Sequence, residues 1–412
     1  MLASDLAATA AKQGNFMKLE SVRVFVVGNP PPGYGGRYFV FLKLKTQCGI
    51  EGVGEVYAAT FGPHVVAKMI EDVFARRFEG QDPTNIESLW RRVHGSGYTL
   101  RPDPSLMGVM SGLEMACWDI AGKAADRPIY RLLGGPVRER LRTYTYIYPE
   151  AGESEAIYHN AERSAERALA YIKQGFTALK FDPAGAYSAF DPRQPDLESL
   201  DLSEKFMRLM REAVGTKADL LFGTHGQFTT SGAIRLAKRL ERYDPLWFEE
   251  PTPPEMPEEM AKVARATSIP VATGERLTTK YEFARVLAVG AANILQMNLG
   301  RVGGLLEAKK IAGMAEAHYA LIAPHLYCGP VVGAANIQLS ACIPNFLILE
   351  SIERWGGFHA KILKTPIRWE EGYVIPSSAP GLGVELNEDV ALAHPYLENG
   401  RLHLEMAETP ID

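Results

Sequence analysis

Leu246-Trp247-Phe248-Glu249-Glu250-Pro251 and, one amphipathic segment later, Pro270-Val271-Ala272-Thr273-Gly274-Glu275 are short apolar runs that each stop on an acidic residue beside a proline or glycine. Such runs, bounded by turn formers, read as strands buried on both faces. Outward from these two the same style recurs at 141–147, 178–182, 220–225, 294–298, 320–325 and 347–351, which makes eight strands. Helical stretches separate them: in 231–242, Ala233, Leu236, Ala237 and Leu240 fall at i, i+3, i+4 and i+7. Eight such alternations predict an α/β fold, a closed (β/α)-barrel. An open doubly wound sheet shares the alternation, but no GxGxxG follows any strand.

Before the barrel the pattern is different. Residues 17–60 alternate as short strands, clearest at 38–45, around a Gly- and Pro-rich loop at 28–36. Residues 63–133 turn helical, including 105–123, where Ser105 is the expected N-cap. Strands followed by helices predict an α+β unit. The chain thus divides into a loose tail (1–16), an α+β capping domain (17–138), a barrel (139–356) and a C-terminal segment (357–412). That last segment carries Pro380-Gly381-Leu382-Gly383-Val384 and is expected to return to the capping domain.

With 412 residues, 46% apolar and 23% charged, the composition is that of a globular protein with a large core. A net charge of −5 without a basic stripe argues against nucleic acid and anionic membrane surfaces as partners. The four cysteines are far apart, with no CxxC pair, so a disulfide framework is not expected and a reducing, cytoplasmic setting is. No apolar run is long enough to span a membrane, and the first residues do not read as a signal peptide.

The chemistry lies in the strand ends. The last six strands stop on His225, Glu249, Glu275, Asn298, His325 and Glu350, spaced by 24, 26, 23, 27 and 25 residues, about one βα unit each. They therefore converge on the C-terminal mouth of the barrel, and Lys180 and Asp182 join them from the second strand. A single strand-end Glu is often only a helix cap or ion-pair partner, and a lone His is more often structural. Six in phase on six consecutive strands are not explained that way. Glu249 and Glu250 differ in phase, so one faces the mouth and the other forms a salt bridge. Converging carboxylates repel unless a cation neutralises them, and oxygen donors suit Mg²⁺. Such an ion would hold a substrate carboxylate and absorb charge when the adjacent carbon loses its proton, which histidine can take or give near neutral pH.

The chain resembles the enolase superfamily, mandelate racemase subgroup, and within it the acid-sugar dehydratases. The marks are Ala116-Cys117-Trp118-Asp119-Ile120 with Gly122-Lys123, Leu133-Gly134-Gly135, Phe248-Glu249-Glu250-Pro251, Gly274-Glu275-Arg276, Ile294-Leu295-Gln296, Gly303-Gly304, Ala323-Pro324-His325 and Pro380-Gly381-Leu382-Gly383. The resemblance implies that Glu249 and Glu275 are metal ligands and His325 the base. It implies that His225 is the acid for the departing hydroxyl, that Glu350 hydrogen-bonds the substrate, and that Lys180 is the second-strand lysine. It also implies a small-molecule sugar-acid substrate and a homo-oligomer, dimer or octamer.

Three departures stand out. Gly223 replaces the usual third-strand Asp ligand, Asp182 stands where racemases carry a second lysine, and Asn298 replaces the sixth-strand Asp that orients the histidine. Asn298 is expected to hold His325 Nδ1 through its amide oxygen, without the charge that raises basicity. Strands two and three are neighbours, so Asp182, kept at the strand end by Pro183, is expected to replace the missing ligand. His225 or water could complete the shell instead, or the metal site could be lost. The expected mechanism places the substrate carboxylate on Mg²⁺, abstracts the C2 proton with His325, holds the enediolate with the ion and Lys180, and protonates the C3 hydroxyl from His225. The product is a 2-keto-3-deoxy sugar acid. The alternatives are a racemase, epimerase or cycloisomerase of a related acid, and a catalytically silent binding protein.

Overall fold

The computed structural model describes residues 17–57, 61–98, 103–150, 152–153, 155–182 and 192–403. The expected tail 1–16 and Pro183 lie outside them. Eight parallel strands, β4 (Leu141–Tyr146), β5 (Ala178–Phe181), β6 (Asp219–Phe222), β7 (Trp247–Glu249), β8 (Val271–Thr273), β9 (Ile294–Leu295), β10 (Leu321–Ile322) and β11 (Leu349–Ser351), pair in sequence order. The ring closes because β11 pairs with β4 and Ile322 bridges Phe346, just ahead of β11. The strands are shorter than the sequence runs, since each run also contains the turn residues that carry the site.

One apolar residue from each of the first six strands, Tyr144, Ala178, Leu221, Trp247, Ala272 and Ile294, with Ala323 just after β10 and Ile348 just before β11, forms a separate buried cluster, the central layer of the barrel. Their chain neighbours Leu179, Leu220, Phe222 and Phe248 belong to a different cluster with the surrounding helices. Side chains alternate along a strand, so positions two residues past the central layer also point inward, one layer nearer the mouth. Those positions are Tyr146, Lys180, Gly223, Glu249, Gly274, Gln296, His325 and Glu350. The barrel period therefore places Lys180, Glu249, His325 and Glu350, whereas His225, Glu275 and Asn298, expected in the same phase, fall one or two residues past the inward position of their strands.

The first domain is an antiparallel sheet of β1 (Leu19–Gly28), β2 (Tyr38–Thr46) and β3 (Glu51–Val56) packed on the helix Pro104–Ala124. The contact needs glycine: a Cβ on Gly54 would stand 2.0 Å from the Gly112 carbonyl oxygen. This helix is capped by Asp103, whose side chain accepts from the Leu106 N–H at 3.0 Å, and not by Ser105. Pro104 explains the shift, because proline suits the first helical position, where its preset φ fits and its missing N–H leaves no intrahelical bond unmade, which puts the cap at Asp103. Two buried carboxylates tie this domain to the barrel mouth. Glu55 accepts from Gly329 N–H and from Val332 N–H (2.9 Å) at the start of the helix Pro330–Cys342. Glu114 does the same for Leu305 (2.7 Å) and Leu306 (2.8 Å) at the start of Leu305–Ala317. Helix N-termini offer unpaired N–H groups and a favourable dipole to such anions.

After the barrel, β12 (Trp369–Glu370) and β13 (Tyr373–Val374) form a hairpin, and β13 pairs antiparallel with β4. Leu382 N–H then donates to Asp119 Oδ1 (2.8 Å), Gly28 N–H to the His394 carbonyl (2.8 Å) and Arg37 Nη1 to the Leu402 carbonyl (2.7 Å). The C-terminal segment thus lies against the capping domain. No helix among the described residues is long and apolar enough to cross a membrane.

Candidate active site

Lys180 reaches the centre of the mouth. Its Nζ donates to Glu249 Oε1 at 2.6 Å and stands 4.0 Å from Glu350 Oε1. Burial pulls its pKa down, but Glu249 and then Glu350 outweigh this and hold it well above the usual lysine value. Glu249 Oε2 accepts from Trp247 Nε1 (3.0 Å) and Gln296 Nε2 (2.8 Å). Glu250 faces the other way and pairs with Arg276 at 2.8 Å. Glu350 Oε2 accepts from the Leu326 N–H at 2.6 Å, and burial pushes its pKa up to about 7.

The two histidines sit in opposite surroundings. His225 Nδ1 is 2.9 Å from Asp182 Oδ2, and its Nε2 is 3.9 Å from Glu275 Oε1. Burial lowers its pKa, but Asp182 and then Glu275 bring it up to about 9, so the ring is cationic at neutral pH. His325 Nε2 is 3.2 Å from Glu275 Oε2, while burial dominates and pushes its pKa down to about 4. That ring is neutral.

Asn298 corrects the expected geometry. Its Oδ1 accepts from the Gly300 N–H at 2.8 Å, which orients the amide, so Nδ2 is the group 2.9 Å from His325 Nδ1. The expectation had Oδ1 on the ring. Here Nδ1 accepts, and the neutral ring carries its proton on Nε2.

The structure brings Asp182 to His225, Glu275 to both histidines, and Lys180 to Glu249 and Glu350. Among the described residues, no three His, Cys, Asp or Glu side chains stand close enough together to hold a metal ion. The donors nonetheless suit a hard cation: Asp182 Oδ1 is a buried carboxylate oxygen that accepts no hydrogen bond among the described residues, and Glu275 Oε2 is another whose one polar neighbour, His325 Nε2 at 3.2 Å, is not in hydrogen-bond geometry. A Cβ on Gly223 would lie 3.2 Å from Asp182 Oδ1, so the Asp182 carboxylate stands where a third-strand side chain would begin.

Sequence reasoning gave no role to Gln296 or Trp247, although both share the inward phase of their strands and both hold Glu249. The stretch 54–57, where the sequence leads one to expect substrate specificity, brings Tyr57 to the site, with its ring centroid 6.0 Å from that of His325. Tyr57 ends the capping-domain sheet, and its N–H donates to the Gly300 carbonyl at 3.0 Å, which pins it to the loop after β9.

Two family models match the chain: the mandelate racemase / muconate lactonizing enzyme N-terminal domain over residues 34–134 and the enolase C-terminal domain-like family over 163–390. The chain belongs to this family. It is 33% identical over 360 residues to a D-galactonate dehydratase of Verminephrobacter eiseniae, covering 86% of this chain and 90% of that one. It is 34% identical over 373 residues to a D-gluconate/D-galactonate dehydratase of Picrophilus torridus, covering 90% and 92%. A solved structure from Labrenzia alexandrii shares 68% identity with a TM-score of 0.92, over 94% of this chain and 99% of that one.

Proposed function

We propose that this protein is a Mg²⁺-dependent sugar-acid dehydratase, a hydro-lyase that removes the C2 proton and the C3 hydroxyl of an aldonate to leave a 2-keto-3-deoxy acid. The observation that carries the reading is the pair of histidines at one barrel mouth, one held cationic to about pH 9 and the other neutral down to about pH 4. Two groups whose surroundings push their pKa values apart divide acid from base. Relatives named as D-galactonate, D-gluconate and D-xylonate dehydratases support the same chemistry.

A divalent ion, held by Asp182, Glu249 and Glu275, would bind the substrate carboxylate and stabilise the charge that builds on it. Lys180 donates to that carboxylate and stabilises the enediolate formed when C2 loses its proton. His325 takes the C2 proton at Nε2, which requires its own proton to sit on Nδ1. Asn298 must then present Oδ1 to the ring and give up its bond from Gly300. The electron pair left at C2 forms the C2–C3 double bond as the C3–O bond breaks, and His225 protonates the oxygen so that it leaves as water. Glu350, fixed by the Leu326 N–H, hydrogen-bonds the substrate. The enol then becomes the ketone.

The test is a panel of aldonic, aldaric and phosphorylated aldonic acids with Mg²⁺, followed for 2-keto-3-deoxy product with and without chelator. One or more acids should turn over and chelator should abolish it. Turnover unaffected by chelator would remove the metal, and bound Mg²⁺ with no product from any acid would remove the dehydratase reading.

A further inference from the structure

Arg301 follows the sixth-strand end by three residues, and its N–H donates to the Asn298 carbonyl at 3.0 Å. Its guanidinium lies over the ring of Tyr57 at 4.7 Å, and Tyr57 is the residue beside His325. Among the described residues the Arg301 side chain has no carboxylate within ion-pair distance and no hydrogen-bond acceptor. The contrast is with Arg276 at the same mouth, which is held by Glu250. A half-buried guanidinium presents several donors in a fixed fork, and stacking on an aromatic face satisfies none of them.

The same corner holds a second donor. His403, 5% exposed, stacks on Tyr38 at 3.8 Å, with its centroid 6.1 Å from that of Tyr57. Its Nδ1 accepts the Arg37 N–H at 3.1 Å, which leaves the ring proton on Nε2. Lys180 already supplies a cation for the reacting carboxylate. Arg301 is therefore surplus to a monoacid.

We propose that Arg301, set on Tyr57 and flanked by His403, binds a second anionic group at the end of the substrate remote from C1, so that the acid is an aldarate or a terminally phosphorylated aldonate. This rests on the sugar-acid reading above. The guanidinium fork pairs two N–H donors with two oxygens of a carboxylate or phosphate, and the stacked Tyr57 ring holds the fork in place for it.

The experiment uses the Mg²⁺-loaded protein and three acids of one configuration: the hexonate, the hexarate and the 6-phosphohexonate. Wild type should favour one of the dianions over the hexonate in kcat/KM, by about 10–100-fold for a charge-assisted hydrogen bond, with the gain in KM. Which dianion wins separates carboxylate from phosphate. Arg301→Gln should shrink that ratio by a similar factor, and Arg301→Lys, which keeps charge without the fork, should fall between. A wild type that prefers the hexonate, or a ratio unchanged in Arg301→Gln, overturns the proposal. The same three acids are titrated calorimetrically against His325→Asn, where turnover is absent. A dianion preference in binding that disappears with Arg301→Gln, together with no product from wild type, keeps the anion site and removes the dehydratase reading. Hexonate turnover with no dianion preference does the reverse.

Discussion

The two sides of the mouth use the same residue type with opposite backing. On the β5–β6 side His225 faces the carboxylate of Asp182, and on the β9–β10 side His325 faces the amide of Asn298. At His225 the carboxylates of Asp182 and Glu275 outweigh burial, at His325 burial outweighs Glu275, and about five pKa units separate two imidazoles in one site. The lesson is that the departures at Asp182, Gly223 and Asn298 act together. Gly223 leaves room for Asp182, Asp182 raises the His225 pKa against burial, and Asn298 brings no carboxylate that would do the same for His325.

The largest effect should come from removing the neutral ring. His325→Asn is expected to fold and hold Mg²⁺ but to abolish exchange of the C2 proton with solvent deuterium, read by NMR of the recovered substrate. Exchange at the wild-type rate would remove His325 as the base. On the other side, His225→Asn should slow dehydration by about 10²–10⁴-fold, the usual worth of a general acid, while C2 exchange survives. Unaltered dehydration in that variant would assign the acid to another group.

Asp182→Asn tests both duties of one carboxylate. Mg²⁺ affinity should fall by about 10–100-fold, as for loss of a ligand or its support, and Gly223→Asp on that background should partly restore it. In the metal-free protein the same change should bring the His225 midpoint down from about 9 toward the ordinary value of about 6.5. Unchanged Mg²⁺ binding would leave the ion to Glu249, Glu275 and water.

The contrast also predicts a pH dependence of stability in metal-free protein. His225 is raised when folded, so its contribution is complete below about pH 6.5 and is lost as pH climbs through about 9. His325 is lowered, as burial also lowers His359 to about 4 and His403 to about 3, so stability falls as pH drops from about 6.5 toward those values. Melting temperature against pH should therefore decline on both sides of a plateau near neutrality. His325→Asn should ease the acid limb, and His225→Asn the alkaline one.

Much of this was legible before any coordinates. A two-residue period on eight strands puts Lys180, Glu249, His325 and Glu350 in one ring, and phase alone sends Glu249 inward and Glu250 to Arg276. Gln296 carried the same signal and was overlooked, because an amide next to the mouth has no chemistry of its own. The cap at Asp103 was missed because Ser105 looks equally good until Pro104 is placed in the first turn. His403 was beyond reach: it lies more than 50 residues past β11 in the chain, and only the return of that segment onto Arg37 and Tyr38 brings it to the mouth. The direction of the Asn298 amide was hidden for a local reason, since it depends on the backbone N–H of Gly300.

That hidden direction yields the smallest but sharpest test. In Asn298→Asp one carboxylate oxygen can keep the bond from Gly300 N–H, and the other can only accept. It therefore demands a proton on His325 Nδ1, where the amide offers one instead. The tautomer should switch from Nε2–H to Nδ1–H, visible in ¹⁵N shifts of the metal-free protein. An opposite charge that close should also lift the His325 midpoint by about 1–3 units from its value of about 4. The base would then start in the form that accepts at Nε2, without the amide first leaving Gly300, so C2 exchange near pH 7 should rise by no more than about tenfold. Both histidines would now be backed by carboxylates, and the acid limb of the exchange rate should move upward in pH with the His325 midpoint. If the ring in Asn298→Asp still carried its proton on Nε2, the amide would not be what sets the tautomer, and the Glu275 carboxylate 3.2 Å from Nε2 would be what holds it there.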